Sequence, residues 1–277
     1  KAYEEITNSE LQAKFDSLSK EGVLFTRMFS SGTRTNRALS SILLSFPALP
    51  RFKSILNDHQ VHQSFSSLAS LLKSNGYDTR FLYAGDTEYD NIQSFFSQQG
   101  FNKVKGKEIY PENSFFTKYG VADETVYGAA KGLINKATQP MFLTLLTVSN
   151  HQPFLFPENE DVFHIHNNSD LSVKEKAFQY SDWALGEFFS WFKNRDDFKN
   201  TLFIITGDHG FFEDNSNKDL FIDLDLYHIP CLIIASDLIP SVNNKIASHL
   251  DIIPTILPLI GGKFIHHSWG KNLIQDY

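Results

Sequence analysis

An α/β protein built around a largely parallel or mixed sheet is the expectation, and three features of the chain set it. Short β-rich apolar runs alternate with longer amphipathic segments. Glycine or proline punctuates many of the junctions between them. Two runs, Met141–Ser149 and Leu202–Gly207, are near-continuous in Leu, Ile, Phe and Thr, which suits central strands covered on both faces.

Taken in order, the first element is a helix over 10–21, with Leu11, Phe15 and Leu18 on one face and Gly22 ending the run. Val23–Phe29 is a strand. Asn36–Leu44 is a helix, stopped by Pro47 and Pro50. Phe65–Ser74 is a helix ended by Gly76, and a strand follows at Arg80–Ala84. Helices are expected next at Asn91–Gln99, closed by Gly100, and at Asp123–Lys136. Between the two long strands, Ser172–Asn194 carries Ala177, Tyr180, Trp183, Ala184, Phe188 and Trp191 at helical spacing. A strand at Ile229–Ala235 and a helix near Pro254–Ile260 complete the set. No repeat, linker or low-complexity tract interrupts it, so one domain over 1–277 is expected.

The 277 residues carry a net charge of −7, with 42% hydrophobic and 21% charged residues. That balance excludes a disordered chain, and its sign argues against a nucleic-acid groove or a polybasic membrane patch. The single cysteine, Cys231, excludes an intrachain disulfide and a multi-cysteine zinc site. Phe is unusually common at 26, which suggests a bulky aromatic core that includes Phe95, Phe96, Phe115, Phe116, Phe188 and Phe189. No apolar run approaches the roughly 20 residues of a membrane-spanning helix, and no targeting segment is visible.

In such sheets, functional groups gather just beyond the carboxyl ends of strands. Three strand ends here run into polar residues: 30–37 after the first strand, 149–153 after Met141–Val148, and 207–210 after Leu202–Thr206. If these strands are parallel neighbours, the three endings converge on one cleft. Asp208 and His209 set a hard carboxylate beside an imidazole between glycines, a platform for a divalent metal, although such a dipeptide more often marks a turn. Thr35 sits where a loop becomes a helix, so free amides there favour a phosphate or sulfate, and its hydroxyl is a candidate nucleophile. Local residues alone favour the plainer reading of Thr33 or Thr35 as a helix cap. His151 is either a proton donor and phosphate ligand or a loop histidine bonded to backbone. Asp251 reads as a cap for the last helix, His228 as remote support, and His59, His62, His266 and His267 as surface residues.

The residues that carry these features resemble a family. The stretch KEGVLFTRMFSSGTRTNRALSSILLSFPAL (20–49) is similar to the lipoteichoic acid synthase-like phosphoglycerol transferases of the alkaline phosphatase and sulfatase superfamily. Further blocks follow in that family's order: FLYAGDTEYDNIQSFFSQQGF (81–101), YGVADETVY (119–127), FLTLLTVSNHQPF (142–154), LFIITGDHG (202–210), HIPCLII (228–234) and HLDIIPTIL (249–257). The resemblance implies an alkaline phosphatase/sulfatase-like fold, with helices flanking a central, mostly parallel or mixed sheet. It implies a threonine nucleophile at Thr35, metal ligation by Thr35, Asp208 and His209, and substrate binding by His151, with His151 assisting proton transfer. The cation implied is Mn²⁺ or Mg²⁺, with Zn²⁺ less favoured. Arg34 is a candidate phosphate partner. Where teichoic-acid enzymes carry a substrate-contacting Trp and Arg, this chain reads Glu88-Tyr89-Asp90-Asn91, which makes Tyr89 and Asn91 the substituted counterparts.

The implied reaction takes glycerol phosphate from an anionic, phosphatidylglycerol-like lipid and passes it to a glycan or glycerol phosphate polymer. The implied place is the extracytoplasmic face of a bacterial membrane. The family's first strand, which ends in an acidic metal ligand, has no counterpart here, since Glu4 and Glu5 lie in a polar stretch. A domain lacking that strand and the upstream membrane helices is therefore expected. Rival readings are a phosphoethanolamine transferase, a phosphodiesterase or sulfatase-like hydrolase, and a non-catalytic phospholipid-binding relative. Neither Cys231 nor Ser45 heads the x-Pro-x-Arg signature of a formylglycine sulfatase, and a single cysteine counts against the disulfide-rich ethanolamine enzymes.

Overall fold

The computed structural model describes residues 11–49, 54–57, 65–210 and 223–275. Its elements alternate as expected. They begin with α1 (Ala13–Ser19), β1 (Val23–Phe29), α2 (Thr35–Leu44), α3 (Leu68–Lys73), β2 (Asp78–Tyr83), α4 (Ile92–Gln98), β3 (Lys103–Lys105) and α5 (Asp123–Asn135). They continue with β4 (Met141–Leu146), α6 (Phe163–His166), α7 (Val173–Phe192), β5 (Phe203–Thr206), β6 (His228–Ile234), β7 (Ser241–Asn243), β8 (Ala247–Ser248) and α8 (Ile252–Ile260). Among the described residues, no helix is long and apolar enough to cross a membrane. Glu4, Glu5, His59 and His62 lie outside the described residues.

The described residues divide into two compact units, one holding 19–71 and 199–275, the other 11–18 and 72–198. In the first unit the sheet order is β5-β6-β1-β7, with β8 also on β1. Strand β6 is antiparallel to both β1 and β5, so those two run the same way with β6 between them. Strands β7 and β8 pair parallel with β1, which makes the sheet mixed.

A proline in the middle of β6 looks incompatible with a central strand, because it has no amide to donate. The register resolves this. Phe25 faces Cys231 while Met28 faces Ile229, so β1 has an extra residue opposite Pro230. At that irregularity the Thr26 carbonyl bonds the His228 Nε2 at 2.7 Å, and the His228 ring stacks on Phe29. Phe25, Met28, Leu232 and Ile233 are buried along the sheet, and α2 packs on α8 through buried apolar faces that include Leu39, Leu43, Ile253 and Ile256.

The second unit has a parallel sheet in the order β3-β2-β4. Its core is aromatic, as the Phe content suggests. Phe81 of β2 stacks on Phe96 of α4 at 5.2 Å, and Phe101 packs edge-on against both. Helices α5 and α7 pack together, with Tyr127 stacked on Phe188. Asp182 of α7 accepts the Lys14 and Phe15 amides, both at 2.8 Å, and so caps α1 from outside its own helix.

Several expectations change. Phe115 and Phe116 are 36% and 42% exposed, because they lie in the loop that bridges Phe116 to Val121. Short strands β3, β7 and β8 carry too few apolar residues to be visible as runs. Strand β4 belongs to a different sheet from β1 and β5, so the three polar strand ends do not leave one sheet. Among the described residues β4 pairs only with β2 and β5 only with β6, and every residue of both is half-buried rather than covered.

Candidate active site

Because β1 and β5 run parallel, their carboxyl ends emerge at the same end of the first unit's sheet. Thr206, the last residue of β5, pairs with Cys231, and Phe29, the last of β1, pairs with His228. The loops that follow carry Thr35 and Asp208.

Both loops are tied to one segment. The Ser30 amide donates to the Tyr227 carbonyl at 2.7 Å, and the Gly210 amide donates to the Leu226 carbonyl at 2.8 Å. Glycine is required at 210, since a Cβ there would collide with the Asp225 carbonyl. Helix α2 then begins without a side-chain cap. Arg34 occupies the capping position with extended backbone, is exposed, and makes no capping bond through its side chain. The Thr35 hydroxyl does not cap either: it donates to Asp208 Oδ2 at 2.7 Å. The plainer reading of Thr35 as a helix cap therefore fails, because its hydroxyl faces the neighbouring loop.

Asp208 is held in turn by the His209 amide, which donates to Oδ1 at 2.9 Å. His209 Nδ1 lies 2.8 Å from the Gly210 carbonyl, an obligate acceptor, so Nδ1 carries the proton. Nε2, the other ring nitrogen, lies 3.4 Å from Asp208 Oδ2. A ring fixed in this tautomer by a backbone carbonyl is the arrangement that prepares a histidine as a metal ligand. Thr35, Asp208 and His209 are all half-exposed.

A hydroxyl oxygen, a carboxylate oxygen and an imidazole nitrogen thus meet around one atom, and that donor set suits Mn²⁺, Mg²⁺ or Zn²⁺. The residues fit a divalent cation as a partial shell. Among the described residues no group of three or more His, Cys, Asp or Glu side chains is placed to hold a metal.

His249 is the residue that sequence reasoning passed over. It is fully buried, lies 3.0 Å from the Gly207 carbonyl through Nε2, and accepts the Ser31 amide at Nδ1 at 3.3 Å. Burial pushes its pKa down to about 4. The only sequence signal was its place at the head of HLDIIPTIL. Asp251, read as a cap for the last helix, makes no capping bond to α8; its carboxylate instead accepts the Ser248 amide at 2.7 Å, as the far partner of a capping box on the turn His249–Asp251. Cys231 is buried beside this sheet end, and burial pushes its thiol up to about 12. The His228 ring bonds the Thr26 carbonyl at the strand irregularity described above.

The remaining candidates lie in the second unit. His151 is exposed, with Nδ1 2.8 Å from the Gln152 carbonyl and its ring 4.0 Å from that of Tyr119. Its loop is anchored by Asp123, buried at the start of α5, which accepts the Ser149 amide at 2.9 Å and the Val148 amide at 3.2 Å. Tyr89 is 63% exposed. Asn91 sits just before α4 with φ 57°, a left-handed conformation that asparagine tolerates well.

The chain is similar to known proteins. The family model described as Sulfatase matches residues 3–262. Lipoteichoic acid synthase 2 of Bacillus subtilis is 27% identical over 218 residues, covering 73% of this chain and 33% of that protein. The chain thus spans about a third of the length of that relative. A solved structure of an alkaline phosphatase superfamily protein from Vibrio parahaemolyticus is 30% identical, with a TM-score of 0.85, covering 98% of this chain and 66% of that one. The lipoteichoic acid synthase LtaP from Listeria monocytogenes is 20% identical with a TM-score of 0.78, covering 96% of this chain and 69% of that one. With the Thr35–Asp208–His209 cluster at the strand ends of such a fold, the chain belongs to the sulfatase family, within the alkaline phosphatase superfamily.

Proposed function

We propose that this chain is the catalytic part of a metal-dependent phosphoglycerol transferase, acting on the headgroup of an anionic glycerophospholipid through Thr35. The observation that carries this reading is the 2.7 Å bond from the Thr35 hydroxyl to Asp208, with His209 Nε2 3.4 Å from the same oxygen. Similarity to lipoteichoic acid synthases supports the choice of substrate.

A divalent cation held by Thr35, Asp208 and His209, with Mn²⁺ or Mg²⁺ favoured over Zn²⁺, would supply Lewis acidity at the hydroxyl and offset charge on the phosphate's non-bridging oxygens. Asp208 orients the Thr35 hydroxyl. Thr35 Oγ1 attacks phosphorus, forming a phosphoglycerol-threonine ester while the bond from phosphorus to the diacylglycerol oxygen breaks, and the proton lost by the hydroxyl ends on that departing oxygen with His151 assisting the transfer. An acceptor hydroxyl on a glycan or glycerol phosphate polymer then takes the group and regenerates Thr35. Arg34 is assigned to the phosphate. His151 is assigned to substrate and to proton transfer, and Tyr89 and Asn91 to the headgroup, from their motifs.

The resemblance to the phosphoglycerol transferases supports the view that a further strand completes the domain. The whole protein is then proposed to work at the extracytoplasmic face of a bacterial membrane, tethered by helices upstream.

The test uses full-length protein with Mn²⁺ and vesicles of phosphatidylglycerol. Diacylglycerol should be released and glycerol phosphate should label the wild type, whereas Thr35→Ala and Asp208→Ala should lose on the order of 10³-fold or more in turnover. No release from a metal-loaded wild type sinks the transferase reading. Preferential release from phosphatidylethanolamine would reassign the headgroup.

A further inference from the structure

We propose that His249 is a positioning residue for the Thr35–Asp208 pair, its imidazole bridging the two loops from behind by accepting the Ser31 amide and donating to the Gly207 carbonyl. This role depends on the site's geometry alone and not on which phosphodiester is cleaved.

The two partners fix the ring's chemistry. A backbone amide can only donate and a carbonyl can only accept, so Nδ1 is bare and Nε2 carries the proton. Only a neutral imidazole satisfies both at once, and burial of the ring favours that form. Each partner sits next to the chemistry. Gly207 precedes Asp208 directly, and Ser31 lies in the loop that delivers Thr35. In front, the loops touch through the Thr35 hydroxyl and Asp208, a bond that loses its proton when Thr35 acts as a nucleophile. The bridge at the back contains no reacting atom and holds through the reaction.

His249 is itself mounted rigidly, in the short turn His249–Asp251. The Ser45 hydroxyl donates to the Leu250 carbonyl at 2.8 Å, the Lys271 amide donates to Asp251 Oδ1 at 2.8 Å, and α8 behind the turn is buried. A ring held on both sides by backbone, on a turn held by three further bonds including the Ser248–Asp251 cap, transmits the position of one loop to the other.

The experiment compares wild type with His249→Ala, His249→Asn and His249→Gln, reading Mn²⁺ affinity by electron paramagnetic resonance and amide exchange at each residue by NMR. His249→Ala should weaken Mn²⁺ binding about 10-fold and speed exchange at Ser31 and His209 by a similar factor, with Leu24 and Leu232 in the sheet unchanged. Asn offers an acceptor near the Nδ1 position and should restore protection at Ser31. Gln offers a donor near the Nε2 position and should restore the Asp208 loop and most of the affinity. Should the alanine variant not fold, the Asn and Gln variants make the same comparison. Mn²⁺ affinity within twofold of wild type in all three, or faster exchange spread evenly over β1 and β6, would show that His249 serves the fold and not the site. If wild type binds no Mn²⁺, the metal reading fails, while the exchange measurements still decide the role of His249.

Discussion

The two units hold their functional loops by different means. In the first, the Thr35 and Asp208 loops each hang from backbone, Ser30 and Gly210 on adjacent carbonyls of 226–227, with His249 spanning them from behind. In the second, His151 is exposed and tied to its own loop, and its firm anchor lies one step back, where buried Asp123 grips the amides of Val148 and Ser149. The lesson concerns tolerance. The nucleophile proposed at Thr35 would need its oxygen held to a fraction of an ångström, and its loop hangs from strand ends and backbone bonds. Residues proposed to meet a headgroup sit in a short turn, Tyr89 exposed and Asn91 half-buried, where they replace the Trp and Arg expected from the resemblance.

The largest effect that sharpens this contrast is expected at Asp123. Asp123→Ala strips the buried Ser149 amide and the half-buried Val148 amide of their acceptor and should destabilise the second unit by about 3 kcal/mol. Exchange at Ser149 should accelerate while Gly210 in the first unit stays protected. Equal acceleration at Gly210 would erase the distinction between the units.

A smaller effect follows from pH. His249 has its pKa lowered from 6.5 to about 4 by burial, so the fold accepts its neutral form. Its contribution is fully present above pH 6.5 and is lost as pH falls toward 4. Denaturant midpoints should fall by the equivalent of about 2 kcal/mol between pH 6.5 and 5, and His249→Asn should flatten that slope. An unchanged slope in the variant would assign the pH dependence elsewhere.

The smallest effect is expected at Asp182, the external cap of α1. Asp182→Ala should cost about 1 kcal/mol and fray α1 alone, as read by exchange at Lys14 and Phe15. Wider loss of protection would mean that α1 supports more of the second unit than its cap bonds suggest.

Much of this was readable from residues alone. Strand β1 occupies the expected span, and α2, α5, β4, α7, β5, β6 and α8 all appear where apolar periodicity places them, with ends displaced by a few residues. Thr35, Asp208 and His209 were named from strand-end loops and from the resemblance. Their contact was not readable, because it depends on β1 and β5 being parallel with β6 between them, a pairing that no local pattern encodes. The role of Phe115 and Phe116 was misjudged for a related reason: hydrophobicity says what a residue prefers, not whether a loop leaves room to bury it.

By itself, then, the sequence determined the order of strands and helices, the aromatic core, the absence of a disulfide framework and the chemical types that can react. These follow from side-chain chemistry and local periodicity. Only the tertiary structure decided that the Thr35 hydroxyl donates to Asp208 and does not cap its helix, and that β4 lies in another sheet. It alone showed that His249, a lone histidine in an apolar block, spans two loops separated by more than 170 residues. Those outcomes are set by which strand ends meet, and contacts at such separations leave no trace in local pattern.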